Sequence, residues 1–124
     1  MGSRGAFLES GGFSVPAKWH TVDYVDGIKV LAPKNPNASM NLPERSNTPG
    51  TSYLLYRKNG EFSQLRVLGA DRIPKFDIDY GVHDSKKSLH VHRFINGTRG
   101  NKPDFLHPGD MLYEKYKSLF KGVK

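Results

Sequence analysis

TSYLLYRKNGEFSQLRVLGADRIPKFDIDYGVHDSKKSLHVHRFING, residues 51–97, is the stretch that decides the fold. It opens on Tyr53-Leu54-Leu55-Tyr56, turns at Asn59-Gly60 and returns through Phe62, Leu65 and Val67. Asn-Gly supplies the two positive φ angles of a type I′ turn, so a hairpin is predicted over 51–68. Gly69-Ala70-Asp71 gives a second reversal. From Lys75 to Tyr80 the chain then alternates, with Phe76, Ile78 and Tyr80 on one face and Asp77 and Asp79 on the other. A polar connector is expected from Gly81 to Ser88, followed by a strand, Leu89 to Ile95, closed by Asn96-Gly97. Three strands linked by such turns predict an antiparallel meander.

Working outward, Val22, Tyr24 and Val25 precede Asp26-Gly27, and Ile28, Val30 and Leu31 follow it, which is a second hairpin signature. Residues 33–50 carry Pro33, Pro36, Pro43 and Pro49 among Asn and Ser, a composition that reads as one long loop. In the tail, Leu112, Tyr116, Leu119 and Phe120 recur at helical spacing. Pro108 suits a first helical turn, Asp110 suits its positive end, and Gly122 can stop it. Residues 1–18 have little apolar periodicity and read as a flexible leader or a remnant of purification. The expected architecture is therefore α+β: a twisted antiparallel β-sheet built of hairpins, with a C-terminal α-helix and a flexible N-terminal leader. The domain is expected over residues 19–124.

A chain of 124 residues supports one core. Nineteen Lys and Arg against 12 Asp and Glu leave a formal charge of +7, which favours a polyanionic partner. There is no cysteine, so disulfides, thiolate zinc sites and cysteine nucleophiles are excluded together. No run of 18 or more apolar residues suggests a membrane span, and Met1 to Gly12 lacks the apolar core of a signal peptide. A cytoplasmic location without membrane contact is expected.

The chemistry concentrates between Asp77 and Arg99. Residues two apart in a strand share a face, so Asp77 and Asp79 form one pair, and His90 and His92 form another on a later strand. If those strands pair, the four meet. His83 lies in the connector with Lys86 and Lys87 behind it, and Arg93 and Arg99 follow. Residues 83–102 hold five Lys or Arg and one acidic residue, Asp84, a local +4 where a phosphate would settle.

Two chemistries suit this set. One is metal-independent RNA cleavage, in which a carboxylate or imidazole takes the 2′-hydroxyl proton, a second group protonates the leaving 5′-oxygen, and Lys or Arg stabilises the phosphorane. The other is a metal centre made by His90, His92 and one of His83, Asp77 or Asp79.

The run from Lys58 to Arg99 resembles a module of small prophage-encoded proteins and of C-terminal toxin domains of Gram-positive bacteria. In it a hairpin leads to Asp77-Ile78-Asp79-Tyr80, a His-containing polar loop and His90-Val91-His92. The opening Met1-Gly2-Ser3-Arg4-Gly5 is similar to the start of such prophage proteins. The arrangement of Asp-x-Asp, His and Lys is also similar to contact-dependent-inhibition toxins that cut 16S ribosomal RNA. That resemblance implies a twisted antiparallel sheet, no metal or other cofactor, and catalysis by Asp77, Asp79, His83 and one of Lys86 or Lys87. The toxin pattern places a His two residues after the second Asp; this chain has Gly81 there and His83 two positions later.

The leading expectation is a small ribonuclease, an endonuclease toxin acting on structured or ribosomal RNA in the cytoplasm and answerable to an immunity protein or phage partner. Its catalytic candidates are Asp77, Asp79, His83, His90 and His92, and its phosphate-binding candidates are Lys86, Lys87, Arg93 and Arg99. The alternative is a non-catalytic prophage accessory or virion protein that uses its basic face to bind nucleic acid or a protein.

Overall fold

Asp26-Gly27 and Asn96-Gly97 both carry positive φ at each residue, 51° and 79° in the first and 52° and 79° in the second. These are the type I′ turns that such dipeptides favour. Asn59-Gly60 behaves differently. Only Gly60 is left-handed, at φ 86°. Gly60 N donates to Arg57 O at 2.8 Å and Arg57 N to Glu61 O at 2.8 Å. This is a type I turn with a glycine bulge, the longer hairpin connection, in place of the expected type I′ turn. Asn59 Oδ1 accepts from Glu61 N at 2.9 Å, so its side chain is used inside the loop.

The computed structural model describes residues 7–8, 19–33, 42–43, 45–46, 50–83 and 85–123. Its strands in chain order are β1 (Phe7–Leu8), β2 (Trp19–Val25), β3 (Ile28–Pro33), β4 (Arg45–Ser46), β5 (Ser52–Tyr56), β6 (Phe62–Leu68), β7 (Pro74–His83), β8 (Lys86–Ile95), β9 (Thr98–Arg99) and β10 (Asp104–Phe105). Among the described residues one short helix, α1 (Met111–Tyr116), runs into a 3₁₀ turn over Lys117–Leu119. The main sheet has eight strands in the order β10-β8-β7-β6-β5-β3-β2, with β9 folded onto β8. Every pairing in it is antiparallel except β3 with β5.

That exception follows from the proline-rich segment. A chain leaving β3 cannot turn tightly into a parallel neighbour and needs a long connection. Part of the expected loop is also structural: Leu42 and Pro43 are buried, and β4 pairs with β1. Residues 34–41, 44 and 47–49 of that loop, and the leader apart from Phe7–Leu8, lie outside the described residues.

The polar connector expected from Gly81 to Ser88 does not form. β7 and β8 pair continuously from Phe76↔Arg93 to His83↔Lys86, and Ser85, between the two strands, has φ 70°. Polarity misled here, because a long two-stranded ribbon that projects into solvent has no reason to be apolar.

Register then assigns the faces. Leu54, Leu65, Ile78 and Val91 pair in succession across four strands and are buried with Tyr80, Leu89, Leu106, Leu119 and Phe120. The C-terminal segment covers this face. Phe62 N donates to Lys121 O at 2.8 Å and Tyr56 Oη to Leu119 O at 3.0 Å. The helix is shorter than its spacing predicts. Pro108 falls in the turn before it, Asp110 is its N-cap, and Gly122 at φ 76° ends the tail. No helix among the described residues is long and apolar enough to cross a membrane.

The opposite face is divided. Trp19, Leu31, Leu42, Tyr53, Leu55 and Leu68 form a second apolar cluster. Beyond it, towards β7 and β8, the same face turns polar.

Candidate functional site

Two cross-strand rows build the polar half. Arg66, Asp77 and His92 are register partners on β6, β7 and β8, and Gln64, Asp79, His90 and Phe105 form the next row. Directly opposed side chains lie on one face of a sheet, so both aspartates and both histidines of the two strands converge.

Asp77 is fully buried. Its Oδ1 accepts from Arg66 Nε at 2.8 Å; its Oδ2 accepts from Arg66 Nη2 at 2.9 Å, Gln64 Nε2 at 3.0 Å and Arg99 Nε at 3.1 Å. Arg66 is itself buried and also donates from Nη1 to Leu42 O at 2.5 Å. The guanidinium thus locks the Leu42-Pro43 segment onto the sheet. Four donors leave Asp77 no exposed lone pair with which to meet a substrate, so its role is to position Arg66 and Arg99.

Asp79 keeps reactive capacity. Oδ2 accepts from Arg99 Nη2 and lies 3.8 Å from His92 Nε2. Oδ1 is buried and finds no hydrogen-bond partner among the described residues. Burial pushes the Asp79 carboxyl above its ordinary pKa, against the pull of the Arg99 guanidinium and with help from the neighbouring Asp77 charge.

His92 is oriented by Gly100, whose carbonyl oxygen lies 3.0 Å from Nδ1. A carbonyl only accepts, so Nδ1 carries the proton and the Nε2 lone pair of the neutral ring faces Asp79. His90 is buried, packs edge-on against His92 with ring centroids 5.3 Å apart, and meets Phe105 on its other side at 6.4 Å. The cluster borders an open depression of about 300 Å³ lined by Arg57, Gln64, Asp79, Gly81, His90 and Arg99, among others.

Gly100 has a further constraint. A Cβ there would stand 2.9 Å from Arg93 O, and Gly100 N donates to that same oxygen at 2.8 Å. Any side chain must push the segment away from β8, taking with it the carbonyl that orients His92 and the adjacent Arg99. Gly100→Ala is therefore expected to cost about 1–3 kcal/mol by overpacking. Equilibrium denaturation against the parent chain measures it, and an unchanged midpoint would contradict the reading.

The sequence-predicted residues thus separate. Asp77, Asp79, His90, His92 and Arg99 are brought together. His83 ends β7 four positions beyond Asp79, roughly 13 Å along the strand; its side chain lies outside the described residues. Lys86 is exposed at the hairpin end. Lys87 donates to Glu61 Oε1 at 2.7 Å and sits 5.9 Å from the Tyr80 ring, on the helix-covered face. Arg93 is exposed in the row of Phe76, 3.8 Å from Asp104 Oδ2. Neither Lys87 nor Arg93 frames the cluster, because odd positions of β8 point to the opposite face from His90 and His92. Arg66, Arg99 and Arg57 supply the positive charge instead. Arg66, Gln64 and Gly100 escaped the sequence reading. An Arg amid the apolar residues of β6 was the available signal, since such a charge is rarely buried without a carboxylate partner.

In comparisons with known proteins, no family model, no curated protein and no solved structure matches this chain significantly.

Proposed function

We propose that this chain is a small ribonuclease of the bacterial-toxin type, cutting structured or ribosomal RNA without a metal. The observation that carries the reading is the placement of the Asp79 carboxylate 3.8 Å from His92 Nε2, where it can stabilise a proton taken up by that nitrogen, beside a guanidinium and a second imidazole, at the edge of an open depression. The resemblance of the Asp-x-Asp, His and Lys arrangement to toxins that cut 16S ribosomal RNA, and the net positive charge, support the same substrate class.

In this mechanism His92 Nε2 takes the proton of a ribose 2′-hydroxyl, and the oxygen attacks the adjacent phosphorus. Asp79 stabilises the imidazolium that results. Arg99 is two-fifths exposed, and its Nη1 makes none of the bonds to Asp77 and Asp79, so it can face the equatorial oxygens of the phosphorane. His90, at the depression, gives a proton to the departing 5′-oxygen. The products are a 2′,3′-cyclic phosphate and a 5′-hydroxyl end.

The test is incubation of the purified chain with end-labelled RNA in excess EDTA, beside an RNA whose 2′-hydroxyls are replaced by hydrogen. Discrete cuts with cyclic-phosphate ends in the first and none in the second are expected. An intact RNA under these conditions sinks the proposal. Intact RNA that is retained with an affinity falling steeply with salt would place the chain with the non-catalytic nucleic-acid binders.

A further inference from the structure

We propose that Asp79, His90 and His92 also form a binding site for one divalent transition-metal ion of the zinc, cobalt or nickel class, and that its occupancy silences the cleavage site. The silencing half rests on the ribonuclease reading; the binding half does not.

One potential ligand atom from each of the three residues lies within 4.8 Å of the other two. A tetrahedral ion with bonds of about 2.0–2.1 Å holds its ligand atoms about 3.4 Å apart, so side-chain rotation of the order of 1 Å closes the site. Two of the ligands come from adjacent residues of one face of β8, and the third from the register partner of His90 on β7. Paired strands hold such a triangle with little backbone freedom.

The environment of His92 is the stronger argument. Its Nδ1–H is committed to the Gly100 carbonyl at 3.0 Å. A ligating histidine is commonly held in this way by a backbone carbonyl, which fixes the tautomer and aims the other nitrogen at the ion. That other nitrogen faces the Asp79 carboxylate at 3.8 Å. Two electron-pair donors opposed in a half-buried site repel one another; Arg99 compensates the Oδ2 side, and a proton or a metal ion on Nε2 would compensate the other.

Asp79 is suited to the second case. Oδ2, the oxygen 3.8 Å from His92 Nε2, takes Arg99, while Oδ1 is buried with no hydrogen-bond partner among the described residues. An oxygen so placed can ligate an ion without the Arg99 pair being broken. Two imidazoles and one carboxylate select zinc, cobalt or nickel over magnesium or calcium, which prefer oxygen ligands. The donor set leaves a fourth position open to water.

Silencing follows from the use of one lone pair twice. His92 Nε2 cannot accept a 2′-hydroxyl proton while it holds a metal.

The experiment is calorimetric titration of the metal-free full chain with zinc chloride, repeated on Asp79→Asn, His90→Gln, His92→Gln and two controls, His20→Gln and His107→Gln, which alter exposed histidines elsewhere. One zinc per chain is expected, weakened roughly 100-fold or more in the site variants and unchanged in the controls. Thermal unfolding of each variant establishes that it is folded, and with three site variants at least one folded chain is available. Absence of saturable zinc binding to the parent, or parental affinity in every folded site variant, overturns the site. In parallel, one equivalent of zinc should stop RNA cleavage and EDTA should restore it. Zinc binding without cleavage under any condition removes the ribonuclease reading and leaves the metal site standing. Cleavage without zinc binding does the reverse, and cleavage that requires zinc overturns the silencing.

Discussion

Arg66→Met should lower the unfolding free energy by about 3–5 kcal/mol, the cost of leaving one member of a buried ion pair without its partner. The variant removes two of the four bonds to Asp77, at 2.8 and 2.9 Å, and also the 2.5 Å bond to Leu42 O. Gln64 and Arg99 remain, but neither matches the two-pronged geometry of the lost guanidinium. Against a total of about 5–15 kcal/mol for a domain, a loss of this size brings the chain close to unfolding at body temperature. Asp77→Leu should cost a similar amount, because it strands Arg66 instead. The double variant Arg66→Met with Asp77→Leu should recover much of the loss, since two apolar side chains of similar volume carry no unpaired charge. Urea denaturation of the four chains measures the cycle, and a loss below about 1 kcal/mol in Arg66→Met would refute the buried-pair account. The result also governs how activity data are read. Loss of cleavage on substituting Asp77 would report a damaged fold, whereas the sequence alone invited Asp77 as a catalytic group.

That contrast marks where the sequence was legible. The alternation of Phe76, Ile78 and Tyr80 against Asp77 and Asp79, and the spacing of His90 and His92, are local patterns with period two. They predicted one shared face for the four groups, and the register Asp77↔His92 and Asp79↔His90 places them there. The turns at Asp26-Gly27 and Asn96-Gly97 were equally local. What could not be read depends on pairs distant in sequence. Arg66 lies on β6, eleven residues from Asp77 in the chain, and only register makes them partners. The parallel join of β3 to β5 is of the same kind. Lys87 and Arg93 illustrate the opposite error, in which nearness in sequence was taken for nearness in space. A strand sends neighbours to opposite faces, so a cluster counted along the chain is halved once it folds. Gly100 was invisible for another reason: its importance lies in a carbonyl oxygen and a missing Cβ, neither of which composition can display.

Asp79→Asn should reduce RNA cleavage by roughly 10²–10⁴-fold, the usual size of a lost proton-transfer partner, without lowering stability at neutral pH. The stability half can be derived from the site. Burial raises the Asp79 carboxyl above its ordinary value of 3.8; Asp77 adds to this, while Arg99, His92 and His90 oppose it. A carboxyl with a raised folded pKa binds more protons in the folded than in the unfolded chain. Its favourable contribution is therefore complete below the ordinary value and is lost as pH rises through the folded pKa. At neutral pH the ionised group is a net burden, which Asn does not carry. The variant should melt at or above the temperature of the parent near pH 7 in metal-free buffer, and the advantage should vanish as pH falls below the ordinary carboxylate range. His92→Gln should lose cleavage to a similar degree, because Gln can still donate a hydrogen bond to the Gly100 carbonyl but offers no basic nitrogen. Together the two variants separate chemistry from folding in a way that Asp77 cannot. Cleavage within about threefold of the parent in a folded Asp79→Asn chain would exclude this carboxylate from the reaction. A stability that falls at neutral pH would instead mean that the Arg99 pair outweighs the cost of burying the charge.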